Sequence, residues 1–132
     1  VYQAALTFSG FLLPVAEATS RCLRATGMAA AASNSLLEQL LERALRAYLH
    51  GGRKAWGGAL AEADEQETGR ELEALRQHDP ALARAYEQLA RFALERFERD
   101  SAWLERILAG TAPRRGARSS AHSCKTAPDR GQ

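Results

Sequence analysis

Apolar side chains recur at three- and four-residue steps between residues 79 and 110, which is the period of a helix with one buried face. The members of this stripe are Leu82, Tyr86, Leu89, Ala93, Phe97, Leu104 and Ile107, and it is widened by Phe92, Trp103 and Leu108. Asp79 is a good N-cap, Pro80 suits the first helical position, and Gly110 supplies a stop. The pattern predicts one amphipathic helix of about 45 Å, longer than a domain of this size is wide.

A second helix is predicted over residues 36–49, where Leu37, Leu41 and Leu45 lie on a broad apolar face. Ser35 followed by Glu38 has the spacing of a capping box, and Gly51 with Gly52 should end the helix.

Shorter helices are predicted from Pro14 to a stop at Gly27, and from a second capping box at Thr68 and Glu71. The second of these should break sharply before Pro80. Residues 1–13 fit a short helix, a strand or an extended arm.

The fold class expected from these elements is all-α, a four- to five-helix irregular or antiparallel bundle centred on helices 36–49 and 80–109. Ala and Leu supply most of the apolar residues and β-branched residues are scarce, a bacterial-like composition that favours helix. We expect residues 1–110 to form a single helical domain. Residues 111–132 are rich in Arg, Ser, Pro and Gly, which predicts a disordered basic tail.

Charge and cysteine usage narrow the range of partners and compartments. Residues 113–132 carry five cationic side chains against Asp129, a net charge of +4, which leaves −2 for the rest of the chain. Only the tail could contact nucleic acid, an anionic membrane or an acidic partner, and we favour a solvated tail because it has no aromatic residues for base stacking. Cys22 and Cys124 are interpreted as free thiols of a cytoplasmic protein. The sequence contains no run of eighteen apolar residues, so it predicts no transmembrane helix.

The residues with catalytic or metal-binding chemistry form no known constellation. His50, His78 and His122 are not spaced to bind one metal from a single helix turn, and no Glu-x-x-His pair occurs. We therefore predict no catalytic residue, no metal and no cofactor, and a protein that is not an enzyme.

Residues 50–58, HGGRKAWGG, have the least ordinary local sequence outside the tail. One interpretation is an anion-binding loop, in which Arg53 and Lys54 flank a phosphate or carboxylate and Trp56 stacks on a ring. The alternative, which we favour because the loop matches no phosphate-binding motif, is an interhelical turn whose Trp packs on the core.

Asp100 falls between Phe97 and Leu104 on the stripe predicted to be buried, where an unpaired carboxylate would be costly. The interpretation that we favour pairs it with an arginine of a neighbouring helix or places it at the edge of the stripe. The alternative makes it a ligand or proton-transfer site in a helix-lined pocket. The candidate pocket or interface on this helix consists of Tyr86, Phe92, Phe97, Asp100, Trp103 and Leu104.

The leading functional hypothesis is a non-catalytic interaction or assembly module, a homodimer formed through the long C-terminal helix. The alternatives are a helical domain that binds a small apolar or aromatic ligand, and an amphipathic coat on a lipid or polymer-granule surface. The composition loosely resembles that of Ala- and Leu-rich proteins that coat polymer granules and of the ligand-binding halves of helical transcription regulators. No family motif is matched residue by residue.

Overall fold

The computed structural model describes residues 1–110, and within them the chain is all-helical with no strand, which confirms the predicted fold class. The elements are α1 (Tyr2–Gly10), α2 (Leu12–Ala25), α3 (Ala30–Gly51), a 3₁₀ helix (Gly52–Ala55), α4 (Glu65–His78), α5 (Pro80–Arg96) and α6 (Ala102–Leu108). The predicted disordered tail, residues 111–132, lies outside the described residues.

The N-terminal third of the chain is more helical than its sequence signals predicted. Residues 2–10 form α1, and α2 begins at Leu12, with Pro14 in its first turn, where a missing N–H costs nothing. Gly27 has φ +85° just after α2, in the role predicted for it. The capping box at Ser35 was wrong because α3 already begins at Ala30, in an Ala-rich stretch of high helix propensity.

The start of α4 also differs from the prediction. Asp64 is its N-cap, and the Asp64 carboxylate accepts a hydrogen bond from the Glu67 N–H at 2.9 Å. Thr68, predicted to be a cap, is buried inside the helix. Ala63, the residue before the N-cap Asp64, has a left-handed backbone conformation with φ +56° and turns the chain.

The single helix predicted over residues 80–109 was wrong, although its start at Asp79 and Pro80 is confirmed. Helix α5 ends at Arg96 in a Schellman motif, in which the Arg99 N–H donates to the Leu94 carbonyl at 2.9 Å and the Glu98 N–H to the Glu95 carbonyl at 3.2 Å. Glu98 occupies the left-handed position, φ +54°, that glycine usually takes in this motif. The helix of about 45 Å is therefore replaced by α5, about 26 Å long, and the short α6.

The helices pack as two groups, with α2 against α3, and with α5 and α6 each against α4. The buried hydrophobic cluster belongs to the second group alone and consists of Leu72, Ala90, Leu94, Trp103, Leu104 and Ile107. Within residues 1–51 only Ser20 and Ser33 are buried, so residues 36–49 do not form the centre that we predicted.

Ion pairs join the three helices of the second group around that core. Arg91 of α5 makes two hydrogen bonds with Glu105 of α6, at 2.8 and 3.3 Å. Arg106 of α6 meets Glu65 of α4 at 2.7 Å. These pairs lie at the surface, so they orient the helices more than they stabilise them.

Candidate functional site

A cleft of about 540 Å³ opens beside the break between α5 and α6. Its walls are the loop after the 3₁₀ helix, which contributes Trp56 and Leu60, and the break itself, which contributes Arg99, Asp100 and Trp103. Glu62 also lines it, so the cleft combines two indole rings with one cationic and two carboxylate side chains.

The local sequence of the break explains how these side chains come together. The left-handed Glu98 turns the chain away from α5, and the Asp100 carboxylate accepts a hydrogen bond from the Ala102 N–H at 3.0 Å. The Asp100 carbonyl accepts a second bond from Trp103 Nε1 at 2.9 Å. These two hydrogen bonds stabilise the first turn of α6, which begins at Ala102. The second one also holds the buried Trp103 ring against the core.

Asp100 does not lie on a buried face as predicted. Because the helix ends at Arg96, Asp100 belongs to the exposed turn between two helices, where its carboxylate faces solvent and acts as a local cap. Among the ion pairs of residues 1–110, none joins Asp100 to an arginine of another helix, which was one of the two forms of the interpretation that we favoured.

The other residues of the candidate pocket are spread over three environments. Leu104 is fully buried in the core, and Phe97 packs edge-on against Trp56 with ring centroids 4.9 Å apart. Tyr86 is half-buried, and Phe92 is exposed with the Arg96 guanidinium 5.9 Å above its ring. Only Asp100 and Trp103 of the six line the cleft.

Tyr86 is the titratable group that its surroundings perturb most clearly. Its hydroxyl donates to a Glu71 carboxylate oxygen at 2.6 Å. Burial, and then this hydrogen bond to an anion, raise the pKa of Tyr86 well above its ordinary value of 10.0. The protonated Tyr86 hydroxyl therefore connects α5 to α4 through its hydrogen bond to Glu71.

Two residues of the candidate anion loop, Arg53 and Trp56, contact other parts of the protein. The Arg53 guanidinium meets the Glu98 carboxylate at 3.0 Å, and Trp56 packs against the core as well as on Phe97. Lys54 is exposed. Trp56 therefore packs on the core as the second interpretation expected, and anion binding by Arg53 and Lys54 stays a prediction.

A large apolar surface at the N-terminus was missed by the reasoning from sequence. Residues 1–16 contain no charged side chain, and every residue of α1 is exposed. We define the N-terminal apolar surface as the aromatic and leucine side chains exposed there, Tyr2, Leu6, Phe8, Phe11, Leu12 and Leu13. The missing charge was the available signal, because a helix on the surface of a protein normally has a charged or polar face opposite its apolar one.

A second exposed apolar area lies at the end of α3. Leu45, Tyr48 and Leu49 are spaced by three and four residues, so they share one face, and each is more than half exposed. We call these three residues the α3 end patch. Neither it nor the N-terminal apolar surface is covered by another part of residues 1–110.

The remaining chemistry within residues 1–110 is sparse. Cys22 is a free thiol on the exposed side of α2. Partial burial, and then the negative charge of Asp79, raise the pKa of this thiol. No group of three His, Cys, Asp or Glu side chains in this part of the chain is arranged to hold a metal ion. None of its helices is long and apolar enough to span a bilayer.

Comparison with known proteins gives no match to a family model, to a curated protein or to a solved structure.

Proposed function

We propose that this chain is a non-catalytic helical interaction module that self-associates through its N-terminal apolar surface. The observation that carries the proposal is the stretch of sixteen residues without a charge, whose large side chains are left in solvent by the fold. Exposed apolar surface of this kind marks an interaction site more often than a free surface.

The size of the surface supports a protein partner. Six exposed aromatic and leucine side chains present roughly 100 Å² each, or about 600 Å² together. The largest apolar patch on a monomer is typically about 300–600 Å², and a standard interface buries about 800 Å² per partner. The N-terminal apolar surface is therefore at the upper limit for a free monomer and close to what an interface needs.

A second copy of the chain is the partner that this surface suits best. An uncharged surface can face its own copy without repulsion between like charges, and most soluble oligomers are symmetric homo-oligomers. This places the interface at α1 and the start of α2. The length of the C-terminal helix no longer supports a dimer through that helix, because the helix is broken at Glu98.

Sedimentation of the 132-residue chain from about 1 to about 200 µM tests the proposal. We expect a dimer that dissociates on dilution, and a monomer for Leu6→Asp and Phe8→Asp. Leu89→Asp is the matched control, because Leu89 is equally exposed but lies on α5. A wild-type chain that stays monomeric at the highest concentration, or a control as weakened as Leu6→Asp, would contradict the proposal.

The cleft beside Asp100 supports a second candidate function, the binding of a flat apolar ligand with a polar substituent. Trp56 and Trp103 would contact the ring, and Arg99 and Asp100 the substituent. Titration of tryptophan fluorescence with a panel of flat aromatic acids and amines tests it, with Trp56→Phe expected to weaken binding. Fluorescence unchanged by every ligand would reject it.

The lipid or polymer-granule coat stays an untested prediction. The lack of Lys and Arg in residues 1–16 counts against an anionic membrane, since interfacial helices usually carry such cations. Helicity that rises with anionic vesicles would favour it.

A further inference from the structure

We propose that the dimer forms by reciprocal exchange of α1, with α1 of each copy packed on the α3 end patch of the other. This inference rests on the proposed self-association, and it names the surface that receives the N-terminal helix. Two observations lead to it, the state of α1 and the state of the end of α3.

Helix α1 does not pack on the α3 of its own chain. All its residues are exposed, and so are Leu45, Tyr48 and Leu49, so neither surface covers the other. The joint between α1 and α2 is itself helical and hydrogen-bonded: the Phe11 N–H donates to the Phe8 carbonyl at 3.1 Å, and the Val15 N–H to the Phe11 carbonyl at 3.2 Å. Moving α1 onto its own α3 would break these bonds, whereas a second copy can meet α1 where it already lies.

The two surfaces match in size and chemistry. Helix α1 has nine residues and is about 13 Å long, and the α3 end patch occupies the last two turns of α3, about 11 Å. Tyr2 and Leu6 are four residues apart on α1, as Leu45 and Leu49 are on α3. Each helix can therefore place an apolar ridge against the other, as in ordinary helix packing.

The area favours exchange over a contact between two α1 helices. The contact pairs the three large exposed apolar side chains of α1, Tyr2, Leu6 and Phe8, with the three of the α3 end patch, which together present roughly 600 Å² per chain. This approaches the roughly 800 Å² per partner of a standard interface, whereas the same side chains of α1 alone present only roughly 300 Å². Contact between α1 helices alone would leave the α3 end patch in solvent.

A mixing experiment with two full-length variants tests the exchange. Leu6→Asp damages the α1 side of both contacts, and Leu45→Asp damages the α3 side of both, so each variant alone should dimerise at least about tenfold more weakly than wild type. In an equimolar mixture, a dimer with one copy of each variant retains one undamaged contact. We expect sedimentation to show recovered dimer and native mass spectrometry to show that it contains one copy of each.

The outcomes separate this inference from the proposed function. If Leu45→Asp alone dimerises like wild type while Leu6→Asp does not, self-association stands and exchange is rejected. If mixing restores no dimer, exchange is rejected as well. If wild type itself is a monomer, both proposals fail.

Cross-linking gives a second readout if an aspartate variant loses helicity. Leu6→Cys in one copy and Tyr48→Cys in another, each with Cys22 and Cys124 replaced by serine, should be joined by a short bis-maleimide when mixed. Leu89→Cys in place of Tyr48→Cys is the control. Equal cross-linking of the two mixtures would overturn the exchange.

Discussion

Replacing Tyr86 by Phe removes one hydroxyl from the contact between α4 and α5 and leaves the ring in place. The lost bond is the 2.6 Å hydrogen bond from the Tyr86 hydroxyl to the Glu71 carboxylate. A hydrogen bond to a charged group contributes about 1.5–3 kcal/mol when buried, and partial exposure of this pair reduces the expected loss to about 1 kcal/mol. For a chain of this length, that corresponds to a fall in Tm of about 3–5 °C.

The difference between the two proteins should depend on pH in a direction that the structure fixes. The folded state holds the phenolic proton more tightly than the unfolded chain, because burial and then the bond to Glu71 raise the pKa of Tyr86 above 10.0. The stabilisation is therefore complete below pH 10.0 and is lost as the pH rises above it, at up to about 1.4 kcal/mol per pH unit. An advantage of about 1 kcal/mol at neutral pH should vanish near pH 10.7, above which Tyr86→Phe becomes the more stable protein.

Urea unfolding followed by circular dichroism, at pH 7 and at steps from pH 9 to about pH 11, measures both quantities. Tyr48→Phe, which removes an exposed hydroxyl, is the matched control. In a double-mutant cycle with Glu71→Ala, most of the loss at pH 7 should disappear. Stability curves for wild type and Tyr86→Phe that run parallel through pH 11 would refute the reasoning.

Three further changes test the fold. Leu104→Ala should lower the free energy of unfolding by about 3 kcal/mol in urea melts, since the side chain is fully buried; an effect below about 1 kcal/mol would contradict this core. Asp79→Ala should cost about 1 kcal/mol in the same melts, because the carboxylate caps α5 through the Ala81 N–H at 2.9 Å, and Asp79→Asn should recover most of it. Ala63→Gly should raise Tm by relieving a φ of +56°, a net gain of about 0.5–1 kcal/mol after the cost of a flexible glycine, and an unchanged or lower Tm would argue against the left-handed turn.

The helix start at Asp79 and Pro80 and the stop at Gly27 were predictable because each depends on one or two adjacent residues with strong conformational preferences. The break after Arg96 was not predicted, because the apolar period continues through it and Glu98 occupies a position where glycine is the usual signal. Asp100, two residues before Ala102, was a capping signal, whereas we interpreted it as a carboxylate on the buried face of one long helix. The false caps at Ser35 and Thr68 show that a two-residue pattern can be overridden when the preceding residues also favour helix.

The candidate site was less predictable than the fold. The cleft joins Trp56 to Trp103, residues 47 positions apart, and sequence periodicity says nothing about such contacts. The dispersal of Tyr86, Phe92 and Phe97 follows from the break, since a helix that ends at Arg96 no longer presents them with residues 100–104 on one face.

The buried cluster uses side chains from residue 72 onward, while the N-terminal apolar surface lies within residues 1–13. Under the proposed function, selection for a stable fold and selection for self-association would therefore act on different positions of this chain. A library that randomises the six apolar residues of the N-terminal surface could be screened for new pairing specificities, with the melting of α4–α6 expected to stay constant across its members.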